Sequence, residues 1–93
     1  MSEEYYVYIL ECADHTLYTG IAKNVDKRMK EHESGKGAKY TRGRGPFSLR
    51  YVERITGKSQ ALQRELEIKA LTRLQKWQLI REAGNENVST KEL

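Results

Sequence analysis

Apolar residues alternate with polar ones from the start of the chain, and the first run is apolar on both phases. In Tyr5-Tyr6-Val7-Tyr8-Ile9-Leu10-Glu11, Tyr6, Tyr8 and Leu10 line one side of a strand and Tyr5, Val7 and Ile9 the other. Such a strand is expected at the centre of a sheet, covered on both faces. Ala13-Asp14-His15-Thr16 supplies a polar turn, since Asp bonds nearby backbone and tolerates unusual dihedrals. Leu17-Tyr18-Thr19-Gly20-Ile21 returns as a second strand that stops at Gly20, where the backbone can bend or let a ligand approach closely. Tyr8 and Tyr18 then sit on neighbouring strands. Whether they share a face depends on the register, which alternation alone does not give.

Beyond the hairpin, Asn24 is placed to cap a helix from Val25 to about Glu33. Ser34-Gly35 ends it, and Gly35 to Pro46 forms a loop of a length that is usually functional inside a small domain. Phe47 to Glu53 alternates and predicts a third strand, antiparallel to the hairpin, with parallel placement left open. Ser59 is expected to cap a second helix to about Leu71, and Thr72 a third with Leu74, Trp77 and Ile80 facing the core. From Gly84 the periodicity ends. The expected organisation is one domain over 1–83 and a mobile segment over 84–93. Its fold class is mixed α/β, a three-stranded antiparallel sheet flanked by three helices.

Composition narrows the class. The chain has 93 residues, 32% charged and 38% hydrophobic, enough for one modest core. No apolar run approaches the roughly 20 residues of a membrane-spanning helix. The acidic start Met1-Ser2-Glu3-Glu4 lacks the basic and apolar regions of a signal peptide, and Cys12 is the single cysteine, so cytoplasm is the expected compartment. The net charge of +4 is unevenly spread: Lys23 to Arg50 holds nine Lys/Arg against three Asp/Glu, while the remainder is slightly acidic. A basic block around a Gly-rich loop, with Tyr40 set among Lys39, Arg42 and Arg44, suits contact with a phosphate backbone. The bland alternative is a solvated surface that aids solubility.

Three side chains stand out as chemistry. Arg28 and His32, four apart on the first helix, share a face at the border of the apolar stripe of Val25 and Met29. A packed, hydrogen-bonded histidine beside a surface arginine is the plain alternative. On the second helix Glu65 falls among Ala61, Leu62 and Ile68, whereas Glu67 points away. An inward carboxylate must be paired, protonated or bound to a cation. It is therefore either one half of a structural ion pair with a nearby Arg or Lys, or an anchor for a hydrated Mg²⁺.

Taken together, Tyr6-Val7-Tyr8, Tyr18-Thr19-Gly20, Arg28, His32 and Glu65 resemble the GIY-YIG nuclease domain. Lys39-Tyr40-Thr41-Arg42 and Ala61-Leu62-Gln63-Arg64-Glu65 resemble its single-domain bacterial members, related to the catalytic half of Slx-type structure-specific nucleases. The resemblance spans about Tyr6 to Ile80. The first triplet lacks the initial glycine, Thr19 replaces an isoleucine, and Ile21 stands where repair-type relatives carry a lysine.

The resemblance implies phosphodiester hydrolysis with one divalent cation, Mg²⁺ or Mn²⁺, held by Glu65 and no small-molecule cofactor. It implies Arg28 as the stabiliser of transition-state charge, Tyr8 as the base with His32 taking the proton onward, and Tyr18 orienting water or phosphate, the two tyrosines being exchangeable in these roles. The loop residues Lys36, Lys39, Tyr40, Arg42 and Arg44 would follow the backbone of DNA, RNA not being ruled out, without reading sequence. A structured or single-stranded DNA in repair or recombination is the expected substrate. A monomer or weak dimer is expected, with any specificity drawn from a partner protein. The alternatives are a nucleic-acid-binding module on the same fold that cuts poorly, and a protein-interaction domain with incidental basic charge.

Overall fold

The first strand, β1 (Glu4–Glu11), hydrogen-bonds on both edges, as its two apolar faces require. β2 (Leu17–Ala22) runs antiparallel along one side and β3 (Ser48–Thr56) antiparallel along the other, giving the order β2-β1-β3. The computed structural model describes residues 3–92, with side chains through Ala83, so the mobile segment expected over 84–93 lies outside the residues whose side chains are described. Helix α1 (Val25–Glu33) follows β2, α2 (Lys58–Lys69) follows β3, and α3 (Arg73–Glu92) ends the chain. The mixed α/β architecture and the central position of β1 are as the residue pattern predicts.

Several boundaries differ from expectation for local reasons. β2 does not stop at Gly20 but pairs through Ala22 with Tyr6. β3 continues past Glu53 because Arg54, Ile55 and Thr56 find partners in Tyr6, Tyr5 and Glu4, with an irregularity where Ile9 gives way to Leu10. The loop at 35–46 contains a short 3₁₀ turn, Lys39–Thr41. α2 begins at Lys58, not after Ser59: Gly57, at φ 95°, is the cap, and its carbonyl accepts from Ala61 N–H. In the hairpin turn Asp14 Oδ1 does accept from Thr16 N–H and Oγ1–H, but His15 is the residue that takes the positive φ of 67°. Asn24 and Thr72 cap as expected. Asn24 Oδ1 accepts from Lys27 N–H at 3.0 Å, and Thr72 forms a reciprocal pair with Gln75 at 2.9 and 3.1 Å.

The core lies on the Val7 and Ile9 face of the sheet. These two residues and Ile68 of α2 are fully buried, with Leu17, Tyr51, Ile55, Leu71, Leu79 and Ile80 packed around them. Arg64 of α2 bonds Glu53 of β3 at 3.1 Å and fastens the helix to the sheet edge. Leu74, expected inward, is 65% exposed. Each three-residue step falls roughly 60° short of a full turn, so the half-buried stripe through Trp77, Leu79 and Ile80 has rotated away from position 74. Among the described residues no helix is long and apolar enough to cross a membrane.

Candidate active site

The opposite face of β1 carries the polar constellation. Tyr8 pairs with Gly20 and Leu10 with Tyr18, so both tyrosines project from the same face. Their ring centroids are 6.4 Å apart. The register thus answers what alternation left open. Gly20 is needed for this proximity, since a Cβ there would lie 2.5 Å from Tyr8 Oη and 2.6 Å from its Cζ. The close approach expected at Gly20 is therefore that of a tyrosine from the neighbouring strand.

Helix α1 lays His32 over the pair. Tyr8 is 1% exposed and His32 2% exposed, and Tyr8 Oη meets His32 Nε2 at 2.9 Å. The His32 ring stands edge-on to Tyr18 at 5.5 Å. Its Nδ1 is 2.8 Å from Thr41 Oγ1, and that hydroxyl donates to the Ala38 carbonyl at 2.8 Å. Gly37 is pressed against the imidazole, where a Cβ would meet Nδ1 at 2.4 Å. Burial, reinforced by the nearby Arg28 cation, lowers the His32 pKa below the usual histidine value. The ring is accordingly neutral at pH 7.

Arg28 stands beside the Tyr8 hydroxyl and bonds Glu31 at 2.9 Å, a contact that holds it firmly protonated. Burial pushes the Tyr8 phenol up to about 12, with the Arg28 guanidinium acting in the other direction. A cleft of about 270 Å³ opens on Arg28 and is lined also by Ile21, Lys23 and Lys27. Two lysines thus border the site although position 21 is apolar.

Glu65 reaches the same site electrostatically: its charge acts on the Tyr8 hydroxyl. Its side chain is 13% exposed and its carboxylate pairs with Lys69 Nζ at 3.3 Å. The ion pair weighed from the sequence is therefore present. Glu65 lies at the border of the buried stripe rather than its middle, because Ala61 and Ile68 are buried while Leu62 is 41% exposed. Among the described residues no three His, Cys, Asp or Glu side chains cluster into a metal cage. A single, mostly buried carboxylate whose ion-pair partner among the described residues is the half-exposed Lys69 fits a hydrated divalent cation such as Mg²⁺ or Mn²⁺, which keeps most of its waters, better than Ca²⁺.

The basic loop folds over the edge of this face. Tyr40 stacks on Tyr18 with centroids 5.8 Å apart and planes at 24°, and Arg44 lies 4.6 Å from the Tyr40 centroid. Arg44 also pairs with Asp14 of the hairpin turn at 2.6 Å, and its carbonyl accepts from Ala13 N–H at 2.7 Å. Lys36, Lys39 and Arg42 are exposed. Tyr8, Tyr18, Arg28 and His32 are brought together and Glu65 is within electrostatic reach of Tyr8; of the five loop residues, Tyr40 and Arg44 are stacked onto the site and Lys36, Lys39 and Arg42 are exposed. Thr41 and Gly37 went unassigned from sequence. Both act on His32, Gly37 by leaving room for the imidazole and Thr41 by bonding Nδ1, and the fold of the loop over α1 rather than residue type sets those roles.

A family model described as the GIY-YIG catalytic domain matches residues 4–78, which contain every one of these side chains. The chain belongs to the GIY-YIG family. Among its relatives are UPF0213 proteins. One from Oceanobacillus iheyensis is 55% identical over 80 residues, covering 86% of this chain and 93% of its own. One from Natronomonas pharaonis is 55% identical over 80 residues, covering 86% and 94%. The solution NMR structure of a UPF0213 protein from Bacillus halodurans is 49% identical and superposes with a TM-score of 0.59 over 97% of this chain and 96% of that one. A solution NMR structure of an E. faecalis protein, 35% identical, gives 0.62 over 90% and 92%. GIY-YIG domains are nuclease domains and generally use divalent metal ions.

Proposed function

We propose that this chain is a divalent-metal-dependent endonuclease that hydrolyses phosphodiester bonds in DNA, acting on structured or single-stranded substrates. The observation that carries the reading is the convergence of Tyr8, Tyr18, Arg28 and His32 on one sheet face, with Glu65 in electrostatic reach and an exposed basic loop alongside. Tyr8 is the base for the attacking water. With its phenol pushed up to about 12, it is not ionised at neutral pH. It works by passing its own proton to His32 Nε2, 2.9 Å away, as it takes one from water. The lowered pKa of His32 keeps that nitrogen free to receive the proton. Arg28, already beside the hydroxyl, stabilises the charge that develops on the phosphoryl oxygens. Tyr18 orients water or phosphate on the same face.

Glu65 would hold one Mg²⁺ or Mn²⁺, releasing Lys69 from their 3.3 Å pair. When bound, that ion supplies charge neutralisation at a phosphate oxygen and at the leaving 3′-oxygen. Lys36, Lys39, Arg42 and Arg44 contact the sugar–phosphate backbone and position the strand without reading its sequence. Tyr40, 45% exposed on top of Tyr18, offers a ring for stacking against an unpaired base.

The test is cleavage of labelled single-stranded, duplex, flap and four-way-junction DNA with Mg²⁺ or Mn²⁺ by wild type, Glu65→Ala and Tyr8→Phe. Cutting by wild type alone, with both variants folded, is the expected result. Salt-sensitive binding with no cutting by any of the three would overturn the reading in favour of a binding module.

A further inference from the structure

The His32 side chain has two nitrogens, and only one arrangement of its protons lets it accept from Tyr8. Thr41 decides which. Its Oγ1 is 2.8 Å from the Ala38 carbonyl oxygen, and a carbonyl has no proton to offer, so the threonine hydroxyl proton points at Ala38. The alternative would leave two oxygens 2.8 Å apart with no proton between them. With that proton committed, Oγ1 can only accept from its other partner, His32 Nδ1, at 2.8 Å. Nδ1 therefore carries the hydrogen and Nε2 is bare. The bare Nε2 can only accept at 2.9 Å, so the Tyr8 hydroxyl donates to it, and the donor-only Arg28 guanidinium nearby does not compete for that proton.

We propose that Thr41 is a positioning residue that locks His32 in the Nδ1–H tautomer and thereby makes the Tyr8–His32 pair directional, proton leaving Tyr8 for His32. The chain of donors runs Tyr8 O–H to His32 Nε2, His32 Nδ1–H to Thr41 Oγ1, and Thr41 O–H to the Ala38 carbonyl. Thr41 is 1% exposed, so water cannot stand in for it. Its neighbours on the 3₁₀ turn, Lys39 and Tyr40, face solvent. One short turn thus presents the basic loop outward and fixes the histidine inward. Gly37 contributes by leaving room for the imidazole, since any Cβ there would displace Nδ1 from the threonine.

The catalytic consequence rests on the nuclease reading, but the tautomer does not, and the two are measured separately. The experiment is long-range ¹H–¹⁵N correlation of the His32 ring in wild type, Thr41→Val and Thr41→Ser, with the backbone amide spectrum of each as the check on folding. Wild type is expected to show a protonated Nδ1 and a bare Nε2, and Thr41→Ser to keep that pattern. Thr41→Val, which fills the same space without an acceptor, is expected to lose it. In the cleavage assay Thr41→Val is expected to lose 10-fold or more in kcat with KM unchanged, and Thr41→Ser to recover it. A wild-type ring protonated at Nε2 would overturn the proposal even if Thr41→Val failed to fold. So would a Thr41→Val protein that kept both the tautomer and kcat. If wild type shows the expected tautomer but cuts no substrate, the positioning role stands and the nuclease reading falls.

Discussion

Gly20→Ala introduces a single methyl group at the point where the two strands bring Tyr8 and Tyr18 together. Its Cβ would sit 2.5 Å from Tyr8 Oη, 2.6 Å from Tyr8 Cζ and 3.0 Å from Tyr18 Cε2. Gly20 does not occupy the left-handed region, so alanine fits its backbone and restricts the unfolded chain, a gain of about 0.4–1 kcal/mol. Against this stands overpacking, about 1–3 kcal/mol in a well-filled interior. The upper part of that range applies, because the obstructing atoms belong to a fully buried ring on the central strand. Tyr8 must retreat by about 0.5 Å to reach even a tight 3.0 Å contact, which strains or breaks its bond to His32 for a further 0.5–1.5 kcal/mol. The net is a loss of about 3 kcal/mol, or roughly 12–24 °C in Tm for a domain of this size.

Urea denaturation followed by tryptophan and tyrosine fluorescence measures the first quantity, and the DNA panel the second. A misplaced base is expected to slow cleavage about 10- to 100-fold. Gly35→Ala is the control. Position 35 has φ 82° and no atom within 4 Å of an added Cβ, so it costs about 1–2 kcal/mol through backbone strain while leaving the Tyr8–His32 pair in place. A Gly20→Ala protein as stable and as active as wild type would refute the argument that this glycine exists to admit the tyrosine.

Thr19→Val should stabilise the protein: Thr19 is 2% exposed and its Oγ1 has no hydrogen-bond partner among the described residues, so removing the hydroxyl at constant shape is expected to gain about 1 kcal/mol in urea unfolding. A loss of stability would mean that the hydroxyl is satisfied in solution. The lowered pKa of His32 means that the unfolded chain binds its proton first, so this contribution is complete above about 6.5 and declines as pH falls below it. Unfolding free energy should therefore drop as pH falls below about 6.5, at a slope of up to about 1.4 kcal/mol per unit, and His32→Gln should flatten that decline; a flat wild-type profile would contradict the burial argument. If Lys36, Lys39, Arg42 and Arg44 each neutralise one phosphate of a duplex, the logarithm of the binding constant should fall with that of salt at a slope of about −3.6, and Lys39→Ala should reduce it by about 0.9. An unchanged slope would place DNA elsewhere.

Features set by one segment's own residues were readable from the chain, and features set by contact between segments were not. β1 is central because Val7 and Ile9 on one face and Tyr8 and Leu10 on the other all demand cover, a demand visible in seven consecutive residues. Asn24 and Thr72 cap because their side chains reach backbone three residues on. The misplaced boundaries had rivals nearby. Ser59 has the better capping side chain, yet Gly57 takes the position because the end of β3 turns there through a positive φ. Glu65 was legible as an anomaly on α2, but its partner and depth were not, since Leu62 turns out to face solvent. Most telling are Gly20, Gly37 and Thr41. Gly20 was legible as a point of close approach, though not that a tyrosine of the neighbouring strand makes it, and the roles of Gly37 and Thr41 toward His32 are set only when the loop folds over α1. Two glycines make space and one hydroxyl sets a proton, and together they turn a tyrosine and a histidine 24 residues apart into a directed pair.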